Sequence, residues 1–228
     1  MKEAPISRNR PITEEKPDIP FVDHLLGFYN YTIIATLAGL VFSLMGIAFS
    51  VFWKIPEVSV YLLLLAGGVH LVDGKIAKTR PLSAEEAAFG RTLDLVSDLS
   101  AFVLLPLAIG FASGMETAWF WPFMIVYALA AIIRLSYLYV TDAERKVGSS
   151  RHRQVYLGLP LGSIALLLPP VFLLKTVWPI FFPWLLGLVM LVMAAGYLLR
   201  VRLPRFGIKG MMTFAAVGIV ELVLLAIL

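Results

Sequence analysis

Cysteine is absent from the 228 residues, which excludes disulfides, thiolate nucleophiles and cysteine-ligated zinc. Charge is scarce too: Asp, Glu, Lys and Arg make up 15% of the chain, against 60% hydrophobic residues and a mean hydropathy of +0.87. That balance leaves too little polar surface to face water and lies outside the range of soluble domains. Internal repeats, low-complexity segments and a second, soluble domain are missing as well. Residues 1–19 carry Lys2, Arg8, Arg10 and Lys16 but no apolar run of the kind that follows the basic start of a secretory signal peptide. They are read as a cytoplasmic arm, and FVDHLLGF at 21–28 as a short interfacial helix closing that first segment, 1–28.

What is present is apolar sequence in membrane-length pieces. A bilayer demands about 20 apolar residues per helix, and seven stretches approach that length, at 29–53, 58–78, 88–113, 118–140, 156–176, 178–200 and 207–228. The expected fold is therefore all-α, a polytopic bundle of about seven transmembrane helices occupying 29–228. With the N-terminus inside, only Lys54 and Lys175 of the 19 Lys and Arg fall on the outer side. The positive-inside rule then orients the chain with its N-terminus in the cytoplasm. Trp178 and Trp184 suit the outer aromatic belt, and Arg200, Arg202, Arg205 and Lys209 suit anionic headgroups.

Against this apolar background, His70 to Asp98 stands out: HLVDGKIAKTRPLSAEEAAFGRTLDLVSD. Asp73, Asp94 and Asp98 lie inside or beside apolar runs, where ionisable groups are costly and mark function. On a helix, Asp94 and Asp98 share one face, with Gly90 one turn earlier. A hairpin of the flanking helices brings Asp73 opposite that face, and three converging carboxylates need cations. Hard divalent ions, Mg2+ or Mn2+, take oxygen ligands and clamp phosphoryl groups. Gly74 and Gly90 let backbone approach a bulky ligand. Solvated helix-end charges paired with Lys75, Lys78 and Arg91 are the plainer reading of the same acids. Clustered intramembrane acids also mark ion pathways, but a transporter spreads its acids through the membrane depth, whereas these gather near one face.

The spacing resembles the signature of the CDP-alcohol phosphotransferase superfamily, D-x-x-D-G-x-x-A-R followed by G-x-x-x-D-x-x-x-D. Asp73, Gly74, Ala77, Gly90, Asp94 and Asp98 match it. His70 stands where the family's first Asp belongs and Lys78 where its Arg belongs, and the spacer is longer by about three residues. The resemblance implies that Asp73 and Asp94 bind metal, that His70 can complete a site, and that Asp98 ligates metal or takes the proton from an attacking hydroxyl. Lys78 would lean on a phosphate, and Gly74, Ala77 and Gly90 would admit the CDP moiety.

A second resemblance joins AAIIRLSYLY to the later YLGLP, as in the phosphatidylserine synthase branch of the superfamily. It raises Arg134 to an expected substrate contact, with Arg151 and Arg153 as holders of lipid phosphate or acceptor carboxylate. The activity so implied is transfer of a phosphatidyl group from CDP-diacylglycerol to L-serine, giving phosphatidylserine and CMP, by a homodimer in the cell membrane with no nucleic-acid partner. The same core serves inositol, inositol phosphate, glycerol phosphate or choline as acceptor, and the His70 and Lys78 departures also fit a CDP-lipid binder without turnover.

Local features complete the reading. Ser83-Ala-Glu-Glu86 has the spacing of a capping box for the helix carrying Asp94. Gly39 and Ser43 form a small-x-x-x-small pair that favours close helix packing. Thr36 is read as a satisfied transmembrane hydroxyl and Glu221 as an interfacial or interhelical carboxylate without catalytic role.

Overall fold

A computed structural model describes residues 27–76, 79, 81–147, 155–200, 202–204, 216–218, 220 and 221. The order is α1 (Tyr31–Ala48), α2 (Pro56–Ile76), α3 (Ala84–Leu99), α4 (Leu105–Ala112), α5 (Trp121–Val147), β1 (Val155–Leu157), α6 (Ile164–Leu173), α7 (Phe182–Leu198) and β2 (Arg202–Pro204). Among the described residues, four helical stretches are long and apolar enough to cross a membrane: Tyr31–Trp53, Pro56–Asp73, Ala84–Ala112 and Ala118–Thr141. The protein is a polytopic membrane helix bundle, as its composition requires.

Helix termini are set by short-range chemistry. Asn30 caps α1 by accepting the Thr32 backbone N–H at 3.0 Å. The expected capping box is formed: Glu86 N–H donates to Ser83 Oγ at 3.1 Å, and Ser83 N–H donates to Glu86 Oε2 at 2.9 Å. The other oxygen of Glu86 accepts from Asn30 Nδ2 at 3.3 Å, tying the starts of α1 and α3 together. Tyr31 and Thr79 share a hydroxyl hydrogen bond of 2.8 Å at that same end of the bundle. At the opposite end Lys175 Nζ donates to Glu57 Oε1 at 2.5 Å, and Lys54 sits over the Phe111 ring. The two lysines separated from the other basic residues by the charge pattern thus lie away from the end where α2 meets α3.

Two helices carry wider π-helical turns, at Phe49–Trp53 and Ser100–Leu104. Such turns leave backbone oxygens to be satisfied by side chains. Tyr127 donates its hydroxyl to the Phe102 carbonyl at 2.6 Å, and Ser59 donates to Gly46 O at 2.7 Å. The apolar core is built around Leu63, Phe102, Leu105, Ile109, Ile164, Leu168 and Met190, all nearly or fully inaccessible. It joins α2, α4, α6 and α7 behind the polar end of α3.

The fifth and sixth apolar stretches are shorter than their sequence suggested. Leu161–Leu173 and Phe182–Leu198 hold 13 and 17 residues at the 1.5 Å rise of a helix, about 20 and 26 Å against about 30 Å of hydrocarbon. Residues 156 and 157, expected to open a helix, belong to β1 instead, which pairs antiparallel with β2, Val155 opposite Pro204. Hydropathy cannot separate an apolar strand from an apolar helix over three residues. Gly158, at φ +79°, turns the chain out of β1 in a conformation other residues resist. Most of the stretch at 207–228, the arm at 1–19 and most of the expected interfacial helix lie outside the described residues.

Candidate metal centre

α2 delivers His70 and Asp73 from its last turns, and α3 delivers Asp94, Ser97 and Asp98. The His70 ring is the hub. Its Nδ1 lies 3.3 Å from Asp73 Oδ2, 3.2 Å from Asp98 Oδ1 and 3.8 Å from Asp94 Oδ1. One ligand atom each of His70, Asp73 and Asp94 falls within 4.8 Å of the others. Side-chain exposure grades from 8% at His70 through 25% at Asp98 to 50% at Asp94, so imidazole and Asp73 form the floor and Asp94 the mouth.

The approach of α1 makes this possible. A Cβ on Gly39 would stand 3.2 Å from His70 Nε2, so the small residue expected to allow close helix packing does so directly behind the ring. Ser97, buried on α3, reaches both the Thr36 carbonyl oxygen and His70 Nε2 at 3.2 Å. Thr36 therefore contributes its backbone to the region, while its side chain is buried.

Beside the acids, α3 and α5 enclose a partly open pocket of about 140 Å3, lined by Arg91, Asp94, Asp98, Leu135, Leu138 and Tyr139. Tyr139 lies 3.4 Å, hydroxyl to hydroxyl, from Thr92. Such a volume is well below the roughly 300–1,000 Å3 of sites for drug-sized ligands, so it suits a small polar molecule. The wall is electrically divided, with two carboxylates and one guanidinium.

Two like charges 4 Å apart repel by about 4 kcal/mol at an effective dielectric near 20. Three carboxylates brought together around one imidazole favour positive charge among them. Their donors, three carboxylate oxygens and one ring nitrogen, suit a divalent ion of the Mg2+ or Mn2+ type. The chemistry open to such a group is binding and polarising a phosphoryl oxygen and holding a proton released nearby.

The sequence candidates divide in four. His70, Asp73, Asp94 and Asp98 come together. Gly74 belongs to the last turn of α2, and Gly90 faces open space, with nothing within 4 Å of an added Cβ. Ala77, Lys78, Arg151 and Arg153 lie outside the described residues. Arg134, expected at the substrate, is 4% exposed and donates from Nε to Leu159 O at 3.1 Å and from Nη2 to Gly158 O at 3.3 Å. Those bonds anchor the turn after β1 to α5, a structural use that the sequence did not indicate. Ser97, Arg91 and Tyr139 were missed as contributors to this site, Arg91 having been weighed only as a counter-charge. Ser97 sits three residues after Asp94 on the same helix, but nothing local says that its hydroxyl meets an imidazole 27 positions earlier.

Comparison with known proteins adds one relation. No family model matches the chain. Over 102 residues it is 31% identical to CDP-diacylglycerol–serine O-phosphatidyltransferase of Saccharomyces cerevisiae, covering 44% of this chain and 36% of that protein. The chain therefore matches about a third of the length of a curated relative whose name describes phosphatidyl transfer to serine.

Proposed function

We propose that this protein is a membrane transferase of the CDP-alcohol phosphotransferase type, moving the phosphatidyl group of CDP-diacylglycerol to L-serine with release of CMP. The observation that carries this reading is the convergence of His70, Asp73, Asp94 and Asp98 beside a pocket of small-molecule size. The similarity to the yeast enzyme supports the same chemistry. The charge pattern of the sequence, with Lys54 and Lys175 at the opposite end of the bundle, supports a cytoplasmic site and an inside N-terminus.

Asp73, Asp94, Asp98 and His70 would hold the divalent ions, which when bound neutralise the pyrophosphate and polarise its phosphoryl oxygens. Gly90, open around its Cα, admits the CDP moiety along α3. By the family resemblance Gly74, Ala77 and Lys78 would also serve the CDP moiety, Lys78 contributing a point charge to a phosphate. Arg91 faces the pocket and holds the acceptor carboxylate, a pairing natural to a guanidinium. By the same resemblance Arg151 and Arg153 would hold lipid phosphate or the acceptor carboxylate.

Asp98 borders both the cluster and the pocket, so it receives the proton as the acceptor hydroxyl reacts. The seryl oxygen forms a bond to the lipid-bearing phosphorus, the bond from that phosphorus to the CMP oxygen breaks, and CMP departs with the electron pair. Incubating the purified protein with CDP-diacylglycerol, Mn2+ or Mg2+ and a panel of serine, inositol, glycerol phosphate and choline tests it. Serine-dependent CMP release and phosphatidylserine formation are expected. Release with another alcohol alone would remove serine, and no release with any acceptor would remove the transferase.

A further inference from the structure

The hydroxyl of Ser97 decides which nitrogen of His70 is available. A carbonyl oxygen only accepts, so the single proton on Ser97 Oγ goes to Thr36 O, 3.2 Å away. Oγ then accepts from His70 Nε2, also at 3.2 Å, which places the ring proton on Nε2. Nδ1 is then the ring nitrogen that faces Asp73, Asp94 and Asp98, at 3.3, 3.8 and 3.2 Å. Between that nitrogen and the acids stands either a second ring proton or a metal ion. Nor has the ring room to swing away, since its side chain is 8% exposed, Gly39 backs Nε2 and Phe102 lies 5.1 Å away, centroid to centroid.

We propose that Ser97 is a positioning residue that commits His70 Nδ1 to a metal, making a mixed nitrogen and carboxylate centre that selects Mn2+ over Mg2+. The proposal deepens the metal assignment within the transferase reading above. Metal-bound histidines commonly donate their second N–H to a fixed acceptor, and removing such a partner costs about 10- to 100-fold in metal affinity. Imidazole favours transition ions, whereas Mg2+ prefers an all-oxygen shell and keeps its waters. The preference belongs to this chain, because it follows from an imidazole at position 70 and a hydroxyl at position 97.

Purified protein loaded with Mn2+ alone and examined by pulsed electron paramagnetic resonance reads the ligand set without turnover. A directly bonded 14N coupling is expected in the native chain and none in His70→Asp. In metal competition His70→Asp should lose the Mn2+ preference about 10-fold or more. Ser97→Ala should weaken Mn2+ by about 10- to 100-fold, and Ser97→Thr should restore most of it. Bound Mn2+ without nitrogen coupling would show that a proton, not a metal, bridges Nδ1 and the acids, and would overturn the proposal. So would an unchanged Mn2+ to Mg2+ ratio in His70→Asp, a comparison that stands even if Ser97→Ala does not fold. Nitrogen coupling without CMP release keeps this inference and removes the transferase; CMP release without coupling does the reverse.

Discussion

Gly39→Ala adds one methyl group at the point where α1 backs onto His70. The new carbon would lie 3.2 Å from Nε2 and 3.5 Å from both His70 Cδ2 and Val69 Cγ1. Unstrained heavy-atom contacts begin near 3.5 Å, so the ring must retreat by about 0.3 Å or somewhat more, and the Ser97 hydrogen bond on the same nitrogen must stretch or bend. A displacement of about 1 Å in a reacting constellation can cost about 100-fold, so a third to a half of that predicts a roughly 4- to 10-fold loss of turnover. The helix preference for Ala over Gly, up to about 1 kcal/mol, opposes the cost of that contact, so the net change in stability should be small beside the change in turnover. Gly39→Val, whose added methyls press on both His70 and Val69, should fall much further. The assay is CMP release at saturating substrates, read beside thermal unfolding in detergent. Full activity in both variants would refute the claim that His70 must be held where α1 leaves it. Loss of activity in step with loss of folded protein would refute it as well.

Further outcomes follow from the same geometry. Asp94→Asn should reduce CMP release to background while the protein remains folded, and undiminished turnover would reject the site. Arg91→Ala should raise KM for serine by roughly 10- to 150-fold, the equivalent of about 1.5–3 kcal/mol for a hydrogen bond to a charged group, and leave KM for CDP-diacylglycerol unchanged. An unaltered serine KM would take Arg91 out of the pocket's chemistry. Tyr127→Phe should destabilise the bundle by about 1–3 kcal/mol in denaturant or thermal unfolding, since it strands the Phe102 carbonyl beside the π-helical turn. A neutral result would mean that the turn satisfies its own backbone.

Membrane residence was settled by composition, because the free energy of placing an apolar run in lipid adds residue by residue and needs no knowledge of neighbours. The start of α3 was equally local: Ser83 and Glu86 are three apart, and a capping box closes within that interval. The face shared by Asp94 and Asp98, and the small pair at Gly39 and Ser43, follow from helical periodicity alone. By contrast, the bond from Ser97 to Thr36 spans 61 positions, and the β1 ladder joins Val155 to Pro204. Arg134 likewise meets Gly158 and Leu159 only because α5 lies against the turn after β1. Such contacts depend on how helices settle against one another, and many sequences with the same hydropathy would settle differently. Residue spacing thus determined which acids can share a face. Only packing decided that an imidazole, held from behind by a serine, stands in their midst.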